Sequence, residues 1–256
     1  MGKKKPRTRP VAAFDLDGSL VREQLLVLLT KECFELQIFR RVAEVVFKKV
    51  RLTHRDRKIT FEQYDREIIS LFTERIKGKL KGDVEMAAEA VFEKHRDWLY
   101  VFTRAMLAEL KPTHECITIT GAMVETVSLL APYWGFEYHY GSVLETDDLG
   151  RYTGRELAMP VADKRAALLA HVAKTGASLE GSVALGDTGS DIPMLAAVER
   201  PIAFNPNDVL AEHAEKSGWP IVLERKDCIH VIKDGACKRF ASANAREAAR
   251  YVLGIK

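Results

Sequence analysis

Cysteine is scarce in this sequence, and its spacing is as informative as its rarity. The four residues, Cys33, Cys116, Cys228 and Cys237, are scattered through 256 positions and form no C-x-x-C pair. That excludes a disulfide scaffold, and with no secretory apolar segment ahead of them we expect reduced thiols and a cytoplasmic protein. Proline (9) and glycine (16) are also few, which excludes collagenous and low-complexity chains. The longest aliphatic stretch, residues 25–29, has only five residues, against the roughly 20 a membrane helix needs. No transmembrane segment is expected. Neither sign of charge dominates: 39 Lys and Arg against 36 Asp and Glu leave a net charge of +3. Nucleic acid is therefore disfavoured as a partner, and the early cluster Lys3, Lys4, Lys5, Arg7 and Arg9 is expected to be a solvated tail.

What is present is ordinary globular composition, 47% hydrophobic and 29% charged, long enough for one large domain carrying an insert. Residues 11–14 read as a buried strand ending at Asp15, followed by a turn and a helix. From 22 to 106 there is no strand-like alternation and no proline, while apolar residues recur at helical spacing; we expect a helical insert. Strand signals return at 116–119, ending at Thr120-Gly121, with a helix at 123–130 stopping before Pro132. A strand is expected at 136–143, a hairpin turn at 147–150 and a helix at 164–174 closed by Gly176. A strand at 182–185, a helix from about Ile192 and a strand at 201–204 complete the pattern. The fold class is α/β: a Rossmann-like parallel sheet with helices on both faces, formed by residues 1–21 and 107–256, with a helical insert at 22–106. Ligands of such sheets sit beyond the carboxyl ends of the strands, where Asp15, Thr120 and Asp187 fall.

The chemistry-bearing residues cluster there. Asp15-Leu16-Asp17-Gly18-Ser19 sets two carboxylates two residues apart on a tight turn, able to address one bound group as nucleophile or metal ligand and as proton donor. Gly186-Asp187-Thr188-Gly189-Ser190-Asp191 brings a second acidic pair to another strand end. Clustered carboxylates repel unless a hard cation neutralises them, and an all-oxygen set with an open position suits Mg²⁺. Thr120-Gly121 and Lys164 supply donors fit for phosphate oxygens.

In this order the four motifs resemble those of the haloacid dehalogenase superfamily of phosphohydrolases, over about residues 11–205. More narrowly the chain resembles the phosphoserine-phosphatase-like branch, whose helical cap is inserted after the first motif. The resemblance implies Asp15 as the nucleophile forming an aspartyl-phosphate, and Asp17 as acid and base. It implies Mg²⁺ held by the Asp15 carboxylate, the Asp17 carbonyl and Asp187, with Asp191 orienting a water, and phosphoryl oxygens held by Thr120, Gly121 and Lys164. A small phosphorylated substrate follows. Phosphotransfer or mutase chemistry on the same phosphoenzyme is the alternative, with a non-catalytic binding protein behind it; dehalogenation needs no second aspartate or metal. Oligomeric state is not legible.

Two departures from that branch concern the substrate, and the first is that the helical cap lacks the arginine pattern expected for a carboxylate contact. Phosphoserine phosphatases usually carry a glutamate where this chain has Gln24, and a neutral amide cannot offset an ammonium; the adjacent Glu23 could substitute if the helix phase allows. Both are candidate substrate contacts. The insert also carries a basic run, Arg40, Arg41, Lys48, Lys49, Arg51, Arg55, Arg57 and Lys58, which reads as a solvated helix face or, alternatively, as a surface for an anionic partner or phospholipid.

Overall fold

The computed structural model describes residues 8–255. Lys3, Lys4, Lys5 and Arg7 lie outside the described residues. Arg9 lies inside them and is no solvated tail: its guanidinium pairs with Glu137 at 2.8 Å and donates to the carbonyls of Lys111 and His114.

Strand β1 (Pro10–Phe14) leads into five helices: α1 (Leu25–Glu35), α2 (Glu44–Arg55), α3 (Phe61–Ile76), α4 (Lys81–His95) and α5 (Val101–Leu110). Then come β2 (Glu115–Met123), α6 (Val124–Trp134), the hairpin β3 (Tyr138–Thr146) and β4 (Tyr152–Ala158), α7 (Lys164–Thr175), β5 (Ser178–Gly186) and the short α8 (Ile192–Leu195). The chain closes with β6 (Arg200–Phe204), α9 (Asp208–Ser217), the meander β7 (Ile221–Arg225), β8 (Cys228–Lys233) and β9 (Ala236–Ala241), and α10 (Ala245–Leu253).

The strands form one sheet in the order β4-β3-β2-β1-β5-β6-β7-β8-β9. From β3 to β7 neighbours are parallel. Strands β4, β8 and β9 add antiparallel edges, so the sheet is the parallel one read from the sequence, with the expected hairpin at one edge and an unforeseen meander at the other. Burial explains the difference. In β1, Val11 and Ala13 join the core on one face with Leu168, Leu195 and Leu210 of α7, α8 and α9. Ala12 and Phe14 join the core on the other face with Leu28, Phe102, Leu130 and Val252. A strand covered on both sides reads as a continuous apolar run, whereas edge strands such as β9, with only Phe240 buried, leave no such trace.

Between β1 and β2 the described structure is helical, as the spacing predicts. Edge-to-face contacts Phe34–Phe47 (5.5 Å), Phe34–Phe39 and Phe39–Phe72 (both 5.6 Å) knit α1, α2 and α3 together. The α3–α4 link is held by the hairpin, with Gly78 N donating to Tyr152 O and Tyr152 N to Lys79 O. The junction drawn at 106/107 falls inside α5. That helix packs along α10, and Phe102 stacks on Phe204 of β6 at 5.7 Å.

Two boundaries move. Helix α6 does not stop before Pro132 but runs on to Trp134 and is capped by Gly135 in the left-handed region. Proline there costs one ladder bond, and burial of Ala131 and Trp134 carries the last turn. Strand β3 starts at Tyr138 and continues to Thr146, because its antiparallel pairing with β4 extends it. Among the described residues no helix is long and apolar enough to cross a membrane.

Candidate active site

The loop after β1 is wound tightly around one carbonyl: Leu16 O accepts the N–H groups of Ser19, Leu20 and Val21 (3.2, 2.8 and 2.9 Å). Gly18 sits in the left-handed region at φ +78°, and a Cβ there would collide with the Asp187 carboxylate; glycine in the D-x-D-G motif is thus required twice over. The loop starts at Asp15, anchored by its N–H to Leu185 O of the neighbouring β5 (3.0 Å). It ends at α1, where Leu25 N donates to Asp17 Oδ1 at 2.8 Å.

The second acidic motif follows β5. Asp191 Oδ2 accepts the N–H groups of Asp187 (3.0 Å) and Thr188 (2.9 Å), folding the loop back on itself. A Cβ on Gly186 would strike the Asp191 side chain, so this glycine too is dictated by close approach. Lys164, the first residue of α7, enters from the opposite side. Its Nζ lies 2.5 Å from Asp15 Oδ1 and 2.6 Å from Asp191 Oδ1. All three residues are almost wholly buried.

Burial governs the electrostatics. It raises the Asp15 carboxyl to about 6, against the attraction of Lys164, and raises Asp17 to about 7, with the Asp15 charge adding to the effect. Asp187 is pushed well above the carboxylate range by burial and then by Asp15 and Asp191. Burial alone would depress Lys164, but Asp15 and Asp191 outweigh it and hold the ammonium above its ordinary value.

Carboxylate oxygens of Asp15, Asp187 and Asp191 lie within 4.8 Å of one another. One ammonium serves three acids, and among the described residues the Asp187 carboxylate receives just a 3.3 Å contact from Ser19 Oγ. The set is all oxygen, short of positive charge, and suited to a hard divalent cation. Asp191 is the most committed of the three, since one oxygen is taken by Lys164 and the other by backbone N–H groups. Asp17 turns its carboxylate to Leu25 N, outside the cluster.

The remaining expected residues separate. Gly121 lines the pocket beside Asp15, Asp17 and Lys164. Thr120 is fully buried, and its Oγ1 accepts Ala122 N at 3.2 Å; it lies within β2, where the pairing with β3 slips between Ile119 and Met123. Gln24 lines the pocket. Glu23 is tied instead to Lys31 (2.7 Å) and Arg51 (3.1 Å). Much of the basic run is similarly engaged: Lys48 pairs with Glu44, Arg55 and Lys58 with Asp56, and Arg41 with Glu35.

The sequence reading missed Asp65. It lines the pocket with Phe61 and Ile69 and accepts Gln24 Nε2 at 2.9 Å. The signal was there: Phe61, Asp65 and Ile69 recur every four residues, one stripe of α3 with an acid at its centre.

A family model for haloacid dehalogenase-like hydrolases matches residues 12–196. A probable phosphatase of Mycobacterium tuberculosis is 25% identical over 223 residues, covering 85% of this chain and 76% of that protein. A phosphoserine phosphatase of Methanocaldococcus jannaschii is 26% identical, with 89% and 98% covered. A solved phosphoserine phosphatase carrying a phospho-aspartyl intermediate analogue superposes with a TM-score of 0.59 at 24% identity, over 86% of this chain and 96% of that one, and shows the shared fold. The chain belongs to the haloacid dehalogenase-like hydrolases. Within that family its site and relatives make it a phosphoric monoester hydrolase.

Proposed function

We propose that the protein is a Mg²⁺-dependent phosphomonoesterase that hydrolyses a small phosphorylated metabolite through an aspartyl-phosphate on Asp15. The observation that carries this reading is the convergence of Asp15, Lys164, Asp187 and Asp191 at the carboxyl edge of the sheet, where β1 has crossovers to either side.

Asp15 attacks phosphorus and the P–O bond to the leaving group breaks; water then attacks the acyl phosphate, releasing phosphate and restoring the carboxylate. Lys164 orients Asp15 and offsets negative charge on the phosphoryl oxygens, with Gly121 beside them. Asp17, held by Leu25 N, gives its proton to the leaving oxygen and takes one from the incoming water. Asp15 and Asp187, with the Asp17 carbonyl, would hold Mg²⁺, which neutralises charge between carboxylates and phosphate. Asp191 fixes Lys164 and the Asp187 loop. In this reading α1–α4 form a lid over the site, and the core resumes at α5.

The test is phosphate release from a panel of phosphomonoesters with Mg²⁺ and with chelator, in the wild type and Asp15→Asn. We expect chelation to stop turnover and Asp15→Asn to lower kcat by about 10³-fold or more with its circular dichroism unchanged. Retention of a tenth of the rate by Asp15→Asn overturns the covalent route. An added alcohol that captures phosphate in place of water would make the protein a transferase.

A further inference from the structure

Resting on that reading, we propose that Asp65 is the counter-ion of a cationic leaving group, and that the natural substrates are phosphate esters of amino alcohols bearing no carboxylate. The leaving-group end of the pocket is built by α1 and α3: Gln24 and Leu26 from one side, Phe61, Asp65 and Ile69 from the other. Asp65 is the acid of this surface. It is half-buried, and among the described residues its one side-chain partner is the neutral Gln24 amide. Burial lifts its carboxyl above the ordinary value, outweighing the Gln24 hydrogen bond and the attraction of Lys164.

The other side of the argument is the lack of cations. Lys164 is the pocket's cationic lining residue, and it is already engaged by Asp15 and Asp191. A carboxylate on the leaving group would meet no second cation among the residues lining this pocket and would face Asp65; Arg66 lines the adjoining cleft and not this pocket. An ammonium would be attracted by Asp65, while Asp17, protonated as the general acid, adds no charge. Gln24 contributes as well. Because its Nε2 is committed to Asp65, its Oε1 is the end left to accept an ammonium N–H. A substrate such as phosphoserine carries both charges, so its amine is welcomed and its carboxylate is not.

Four esters separate the two charges: phosphoethanolamine (amine), phosphoserine (both), 3-phosphoglycerate (carboxylate) and glycerol phosphate (neither). We expect kcat/KM for phosphoethanolamine to exceed that for glycerol phosphate by roughly ten- to a hundredfold, the range of one charge-assisted hydrogen bond. Phosphoserine should fall below phosphoethanolamine, and 3-phosphoglycerate should be poorest. In Asp65→Asn the amine preference should collapse toward one. Equal wild-type values for phosphoethanolamine and glycerol phosphate overturn the proposal, as does a preference that survives Asp65→Asn, which would make Asp65 an anchor for Gln24. The wild-type ratios decide the matter even if the variant does not fold. Nitrophenyl phosphate keeps the two readings apart: its hydrolysis with no amine preference refutes this inference alone, whereas no release from any ester refutes the phosphatase reading with it.

Discussion

Arg22 and Glu224 are 202 positions apart in the chain and 2.7 Å apart in the fold. Arg22 leaves the catalytic loop for α1, while Glu224 lies on β7, and the Glu224 side chain is only 1% exposed. The same carboxylate accepts Phe102 N (2.9 Å) and Val101 N (3.3 Å) at the start of α5. One buried acid thus fastens both ends of the helical segment, and its charge suits the positive end of a helix. Glu224→Ala should cost about 2–4 kcal/mol in urea unfolding, because two N–H groups lose their acceptor. Glu224→Gln, which keeps the shape, should recover part of this. A loss below about 0.5 kcal/mol, ordinary for a surface position, would mean the clamp is idle.

The motif residues stand out in the sequence by chain order and placement: Asp15 and Asp187 each follow a short buried strand, and Lys164 opens a helix. Glu224 was not legible, since an acid in a strand of the tail gives no local sign of partners at Arg22 and Phe102. Strands β8 and β9 were missed for the related reason that half-exposed edges lack the apolar continuity of β1 and β5. The full burial of Thr120 was not legible, since the register slip of its strand against the next one between Ile119 and Met123 is a property of the paired strands. Gln24 and Glu23 are adjacent on the way into α1, and only the packing of α1 on α3 decides which of the two faces the pocket.

Asp17→Asn should separate substrates by leaving group. An alkyl oxygen needs a proton and should lose about 10²–10⁴-fold in kcat, whereas nitrophenolate leaves unaided and should lose much less. Burial, and then Asp15, raise the Asp17 carboxyl to about 7, so its acid form persists to neutral pH and is lost as pH rises through that value. Wild-type turnover of alkyl esters should therefore decline on the alkaline side more steeply than turnover of the aryl ester. Parallel profiles, or equal losses in Asp17→Asn, would remove Asp17 from the role of acid.

Asp187→Asn should trade activity for stability. The amide is a poorer ligand, so the Mg²⁺ concentration for half-maximal rate should rise by more than about tenfold. In chelator the effect on folding has the opposite sign. The raised pKa of Asp187 in the fold means that its protonated form is favoured there, so its stabilising contribution is present at low pH and lost as pH rises through the folded value. Asn escapes that loss. The metal-free variant should melt a few degrees above the metal-free wild type at pH 8, with the gap closing toward pH 4. A variant that melts lower at pH 8 would show that Asp187 is compensated without a cation.

Glu23 and Gln24 should behave differently although they are neighbours. Glu23 is held by Lys31 and Arg51, which fasten the entry of α1 to α2. Both cations are partly exposed, so Glu23→Ala should cost no more than about 1 kcal/mol and leave the order of substrates as it was. Gln24 lines the pocket and holds Asp65. Gln24→Ala removes a polar group from the pocket lining and releases the acid beside it. Its effect belongs to substrate choice: kcat/KM for amine-bearing esters should fall several-fold, while nitrophenyl phosphate, which has no ammonium to offer there, should change little. Measuring both variants on the same panel gives the comparison. Equal fractional losses on every ester in Gln24→Ala would make α1 a support for the catalytic loop through Leu25 N and Asp17. A changed substrate order in Glu23→Ala would mean that the Lys31 and Arg51 contacts open in solution and that Glu23 reaches the pocket after all.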